Sequence, residues 1–178
     1  MKSVFRYTAA GLALASFGFA SAAHAVDGTA DATAEILSTL TVTADTNDDT
    51  LDFGKIAPTP TLVGTSTVVV APSGTATCGA NLTCSGTTDA PTFNVTGLVS
   101  SVVAISFPAA SAPLTLVSGT APSGFSGTMS VGTFVSSASS LTLAAGNNPF
   151  TVGGTLTVAA LQAPGVYAGT FNVRVLYN

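Results

Sequence analysis

Residues 165–177 alternate with almost unbroken period two: Tyr167, Gly169, Phe171, Val173, Val175 and Tyr177 share one face, and Ala168, Thr170, Asn172, Arg174 and Leu176 the other. Successive side chains of a strand point to opposite faces, so this pattern belongs to a strand with one buried side and would smear the apolar residues around a helix. That side needs a second sheet to pack on, and each Å² of apolar area removed from water stabilises by about 25 cal/mol. Shorter runs of Val, Thr, Phe and Leu recur between clusters of Gly, Pro, Ser and Asn, the turn-forming residues. Strands are expected at 36–44, 51–56, 61–70, 91–97, 101–107, 114–117, 128–135, 150–158 and 165–177. Regularly spaced strands without helix signals predict an all-β fold, an immunoglobulin-like antiparallel β-sandwich.

The start of the chain reads differently. Lys2 and Arg6 precede an apolar run from Tyr7 to Ala20 that ends in Ala23-His24-Ala25, the pattern of a cleaved secretory signal over residues 1–25. The run is shorter than the roughly 20 residues a membrane-spanning helix needs, and no later segment reads as a membrane span. Beyond it Ala30, Ala32, Ala34, Ile36, Leu40, Val42 and Ala44 again fall at even positions. Residues 30–44 fully extended would reach roughly 50 Å, against a radius of gyration of about 15 Å for a domain of this size. The segment therefore divides into an N-terminal extension, 26–37, and a single domain over 38–178 whose first strand is 38–44.

Charge is scarce and uneven. Without residues 1–25 the cations are Lys55 and Arg174, against eight carboxylates of which only Asp89 follows Phe53. Nucleic acid is excluded as a partner, because binding it requires clustered Lys and Arg that release counterions. Mean hydropathy of +0.58 argues for folding over low-complexity disorder. A surface solvated by Thr and Ser resists self-association poorly, which suits a protein that assembles.

The residue inventory excludes most catalysis. His24 is the only histidine and falls in the signal, so neither a Ser-His-Asp nor a Cys-His arrangement can form. Glu35 is the only glutamate, and nothing pairs carboxylates for acid–base work. Asp45-Thr46-Asn47-Asp48-Asp49 offers oxygens that calcium favours, but it lacks the Gly and terminal Glu of an EF-hand loop and reads as a turn. Gly153-Gly154 has no helix after it and suggests a bulge instead of a phosphate loop. No enzyme, cofactor or metal is expected. Cys78 and Cys84 in an exported chain are expected to pair, stapling a hairpin or loop, since their spacing suits neither a redox C-x-x-C nor a zinc site. Asn81-Leu82-Thr83 and Asn94-Val95-Thr96 match the N-glycosylation pattern, which arises readily in a Thr-rich chain.

Leu51-Asp52-Phe53-Gly54-Lys55-Ile56, Gly153-Gly154-Thr155-Leu156-Thr157-Val158 and the run Gly165–Asn178 resemble the exported bacterial domain of unknown function family numbered 4402. That resemblance implies a secreted β-sandwich. A second resemblance is to chaperone-usher pilins, which end in a strand with a penultimate aromatic and a glycine fourteenth from the C-terminus, here Tyr177 and Gly165. It implies a subunit lacking one strand, a periplasmic chaperone that fills the gap, an outer-membrane usher, and replacement by the next subunit's extension. An open sheet edge offers unpaired N–H and C=O groups for such an addition. Carried onto this chain, Ala30, Ala32, Ala34 and Ile36 form the donor face. Gly165, Tyr167, Phe171, Val173, Val175 and Tyr177 form the strand bordering the acceptor groove. Three alanines make a small donor face, and the close Cys78–Cys84 pair departs from pilins whose disulfide joins distant strands.

The reading is a structural subunit of a surface filament, pilin-like, exported through the periplasm to the cell surface and active in adhesion. The alternative is a monomeric secreted or coat-type β-sandwich binding domain whose N-terminal strand completes its own sheet.

Overall fold

The computed structural model describes residues 29–178; the expected signal peptide, 1–25, and the first residues of the extension lie outside them. Among the described residues there is no helix. The strands are β1 (Thr41–Ala44), β2 (Lys55–Pro58), β3 (Thr65–Val70), β4 (Ala76–Cys78), β5 (Leu82–Ser85), β6 (Thr92–Thr96), β7 (Val102–Ser106), β8 (Ser111–Ser118), β9 (Thr128–Ser136), β10 (Ser140–Thr142), β11 (Asn148–Ala159), β12 (Val166–Ala168) and β13 (Arg174–Tyr177). They form curled antiparallel sheets: a large one in the order β1-β6-β11-β9-β8-β12, with β3 on β11 and β4 on β3, a three-stranded β10-β7-β13, and a two-stranded β2-β5.

The organising strand is β11. Its first part pairs with β6 (Asn148↔Val95 to Thr151↔Thr92), its second with β3 (Gly154↔Val70 to Ala159↔Thr65), and β9 pairs along Val152–Thr157. The register slips between Gly153 and Thr155, a bulge at the expected glycine pair. A Cβ on Gly153 would collide with the Val70 carbonyl oxygen, so the hand-over between neighbours needs glycine there.

Two apolar clusters follow from the two halves of β11. Toward its end, Phe53, Val68, Val70, Ala112, Val131, Leu156 and Val158 pack together. Toward its start, Val95, Phe150 and Val152 of the large sheet meet Val103 and Val175 of the three-stranded sheet, with Leu143. Phe134 and Phe171 belong to both clusters, stacked with ring centroids 4.7 Å apart.

The terminal run departs from its expected form. Residues 165–177 are not one strand: β12 pairs with β8 in the large sheet, β13 pairs with β7 in the small one, and residues 169–173 between them carry no ladder. The alternation survives because both halves face the same interior. Tyr167, Phe171, Val173, Val175 and Tyr177 are all at least partly buried while Ala168, Thr170, Asn172, Arg174 and Leu176 are exposed. Gly169 makes the crossing possible, since a Cβ there would collide with the Pro113 carbonyl oxygen. The first body strand also starts later than expected, at Thr41, because residues 36–39 are exposed and carry no ladder.

Ile36–Asn178 forms one compact unit and residues 29–35 lie outside it. Within that unit, Thr41↔Thr96 and Asn148↔Val95 bring the start of β1, Gly97 and residues 144–147 to one end, termed the exit end because the extension leaves there. Ala159↔Thr65, Val166↔Ser118 and the bond from Ser126 N to Leu161 O place residues 59–64, 119–127 and 160–166 at the other, the distal end. The twelve residues of β11 separate the two ends by about 40 Å at ~3.3 Å per residue.

Candidate acceptor groove

A groove of about 850 Å³ opens in the distal half of the body. One wall is Asp49–Pro58, the other Gln162–Phe171, and the floor is Leu114, Met129, Val131, Leu156 and Val158. The floor residues belong to the distal core cluster or pack directly against it.

Each wall includes a sheet edge, Lys55–Pro58 in one and Val166–Ala168 in the other. β2 has one partner, β5, which does not line the groove, so the unpaired side of β2 faces it. β12 ends the large sheet, its other side held by β8, and residues 169–171 beyond it have no ladder at all. Two rows of backbone donors and acceptors thus flank an apolar floor, the arrangement that accepts an extended segment through main-chain hydrogen bonds and alternate side chains. Among the described residues Lys55, Asp49 and Asp52 are its only charged lining, and the Asp52 carboxylate accepts from Gly54 N at 2.8 Å.

The first wall is tied to the large sheet by the expected disulfide. Cys78 ends β4, which pairs with β3, and Cys84 lies in β5, which pairs with β2; the two are bonded to each other. The hairpin tip between them is held by Gly79 N donating to Thr67 O at 2.9 Å and Ser66 Oγ to Ala80 O at 2.7 Å. The second wall is knitted at the distal end. The Tyr167 hydroxyl donates to Ala163 O at 2.7 Å, while Gln162 Nε2 donates to the Tyr167 oxygen at 2.7 Å and to Ser126 O at 2.8 Å. Gly165, entering β12 at φ 149°, lies against Ser118.

The residues assigned to the groove strand are therefore divided. Gly165, Tyr167 and Phe171 line the groove; Val173, Val175 and Tyr177 pack in the exit-end cluster, where the chain has already crossed to the small sheet. Ala30, Ala32, Ala34 and Ile36 are exposed and in no strand, with Ile36 94% exposed. The opposing wall, Asp49–Pro58, was readable only as a strand at 51–56, which the structure places at Lys55–Pro58, and nothing marked it as a groove wall, because that depends on β2 having no second neighbour. The acidic segment 45–49 is a tight turn: Asp48 N donates to Asp45 O at 3.3 Å, Asn47 N to the Asp45 carboxylate at 3.0 Å, and the Thr92 hydroxyl to the Asp48 carboxylate at 2.6 Å.

Among the described residues no helix is long and apolar enough to cross a membrane. No curated protein and no solved structure matches the chain. One family model does, that of a domain of unknown function, DUF4402, over residues 40–177, which takes in both core clusters, both groove walls and the disulfide. The chain belongs to the DUF4402 family.

Proposed function

We propose that this chain is an exported, pilin-like structural subunit that assembles by β-strand addition. Its body is then an immunoglobulin-like sandwich lacking one strand, and residues 30–36 of a second copy fill the gap. The observation that carries this reading is the groove with an apolar floor between two free strand edges, in a chain that also bears an exposed, alternating and unpaired segment.

An inserted strand gains a ladder on each side at about 1 kcal/mol net per hydrogen bond. The donor side chains add about 0.8 kcal/mol per buried methylene, so Ile36 contributes more than the three alanines together. Before assembly the open edges require cover, the role a periplasmic chaperone would take ahead of an outer-membrane usher, with the cell surface as destination.

The test is the chain's state after export. Electron microscopy of cell surfaces with and without it should show filaments only with it, and material stripped from the surface should run as a ladder in detergent before heating. Deleting residues 26–37 should abolish the ladder and leave the body folded. A monomer without a ladder, unchanged by the deletion, would sink the proposal; a body destabilised by the deletion would favour the self-completed binding domain.

A further inference from the structure

Resting on strand addition as the mode of assembly, we infer a second contact between copies: the exit end of one body packs directly on the distal end of the next.

The tether between them is short. Ser38 is held to its own body, its carbonyl accepting from the Tyr177 hydroxyl at 3.0 Å, and Leu40 packs in the exit-end cluster. Ile36, the last residue of the donor face, is therefore joined to a fixed point by Leu37 alone. From Ile36 to Leu40 the chain reaches at most ~14 Å. In the proposed contact residues 30–36 run toward the neighbour's distal end, so that Ile36 sits where the groove walls finish at Pro58 and at Gln162–Val166, and the donor's exit end then lies within that distance of the distal loops.

The surfaces brought together suit each other. The distal loops 59–64, 119–127 and 160–166 contain no charged residue, and they expose Val63 (90%), Leu161 (57%) and Phe125. The exit-end loops 97–101 and 143–147 are uncharged too, and expose Val99 (52%), while Leu37 (42%) is exposed in the emerging chain. No charged side chain of these loops has to be desolvated when they meet, and isolated apolar side chains on both sides lose contact with water. The two ends are different surfaces about 40 Å apart along β11, so their contact is heterologous and propagates as an open string. The partner is a second copy of this chain, and the contact supplements a donor face made small by three alanines.

Chains each given one free cysteine, with the Cys78–Cys84 bond kept, test it. Full-length Val99→Cys and Leu161→Cys proteins, mixed and allowed to assemble, are expected to cross-link to each other with a short bismaleimide, whereas a Val69→Cys protein, marked opposite Thr155 near the middle of β11, is not. Val63→Ser/Phe125→Ser/Leu161→Ser chains should lose assembled copies roughly tenfold faster, as expected when central apolar anchors are truncated. They should still take up a labelled peptide of residues 29–38 as the parent does. Peptide uptake without any Val99–Leu161 cross-link, and unchanged dissociation of the triple variant, overturns the second contact while leaving strand addition intact. Cross-linking in chains that take up no peptide supports the contact and removes strand addition instead.

Discussion

The Tyr177 hydroxyl donates to the Ser38 carbonyl at 3.0 Å and accepts from the backbone N–H of Leu98 at 2.8 Å. One phenol at the end of the final strand thus holds the point where the extension leaves the body and a loop of the exit end.

Replacing Tyr177 by Phe keeps the ring in its cluster but strands the Leu98 N–H and frees Ser38. The expected cost is about 1–2 kcal/mol, the penalty of an unmet polar group. A urea titration should show a lower midpoint with an unchanged slope. Faster amide exchange should appear at Leu98 and not at Val158, which is in the other cluster. Equal changes at both would mean that the hydroxyl matters only to global stability.

Asn148 is buried within the large sheet, with the Nδ2 amide shared among Val95 O at 3.1 Å, Gly146 O at 3.1 Å and Ala144 O at 3.2 Å, and Oδ1 accepting from Ala144 N at 2.8 Å. Asn148→Asp keeps the shape and the acceptor but removes the Nδ2 donor and buries a charge. A loss of about 3 kcal/mol is expected near neutral pH. The protonated acid is less costly to bury, so the gap from the parent should narrow as pH falls; a constant gap would assign the loss to geometry.

Removing the disulfide by Cys78→Ser with Cys84→Ser should cost about 2 kcal/mol for so short a loop. Its local effect is more specific. The bond links β5, the only partner of β2, to β4 on the large sheet, so its loss loosens one groove wall. Limited proteolysis should cut within residues 79–83 in the variant and leave the parent intact, while amides of Val95 and Val103 keep their protection. Cleavage spread through both clusters would show a global role.

Much of the body was legible because alternation and turn residues act locally. The inward set Tyr167, Phe171, Val173, Val175 and Tyr177 followed from period two alone, and the pairing of Cys78 with Cys84 from their number and spacing. The break at 169–173 was not legible. Period two reports which side faces the core and says nothing about which sheet supplies the ladder, so a strand that changes sheets without changing face looks continuous. Similarly, β4, β5 and β10 are too short to show a period, and the groove exists only through pairings between segments far apart in sequence.

The crossing itself can be tested at Gly169, where a Cβ would meet the Pro113 carbonyl oxygen and, at 2.8 Å, Leu114 Cδ2. Gly169→Val should destabilise by more than ~3 kcal/mol, in the range of overpacked or strained sites. Thr170→Val, at an exposed neighbour, should stay within about 0.5 kcal/mol. Thermal melts of the pair separate a steric requirement at residue 169 from a general preference for small residues along the run; equal losses would remove the steric account.

The donor face offers a change that should strengthen assembly. Ala32 and Thr33 are both exposed and adjacent, but in an inserted strand they point oppositely, Ala32 to the groove floor and Thr33 to solvent. Ala32→Val adds two carbons toward the floor, about 1.5 kcal/mol if both are buried, and a ladder in detergent should then dissociate roughly tenfold more slowly. The groove's volume of about 850 Å³ gives room for the larger side chain. Thr33→Val exchanges one β-branched residue for another and raises hydrophobicity without reaching the floor, so it should leave the rate nearly unchanged. Ala32→Asp should abolish the ladder, because an unpaired carboxylate would face Leu156 and Val158. If Ala32→Val and Thr33→Val slow dissociation equally, the extension has no preferred face and does not enter the groove as a strand.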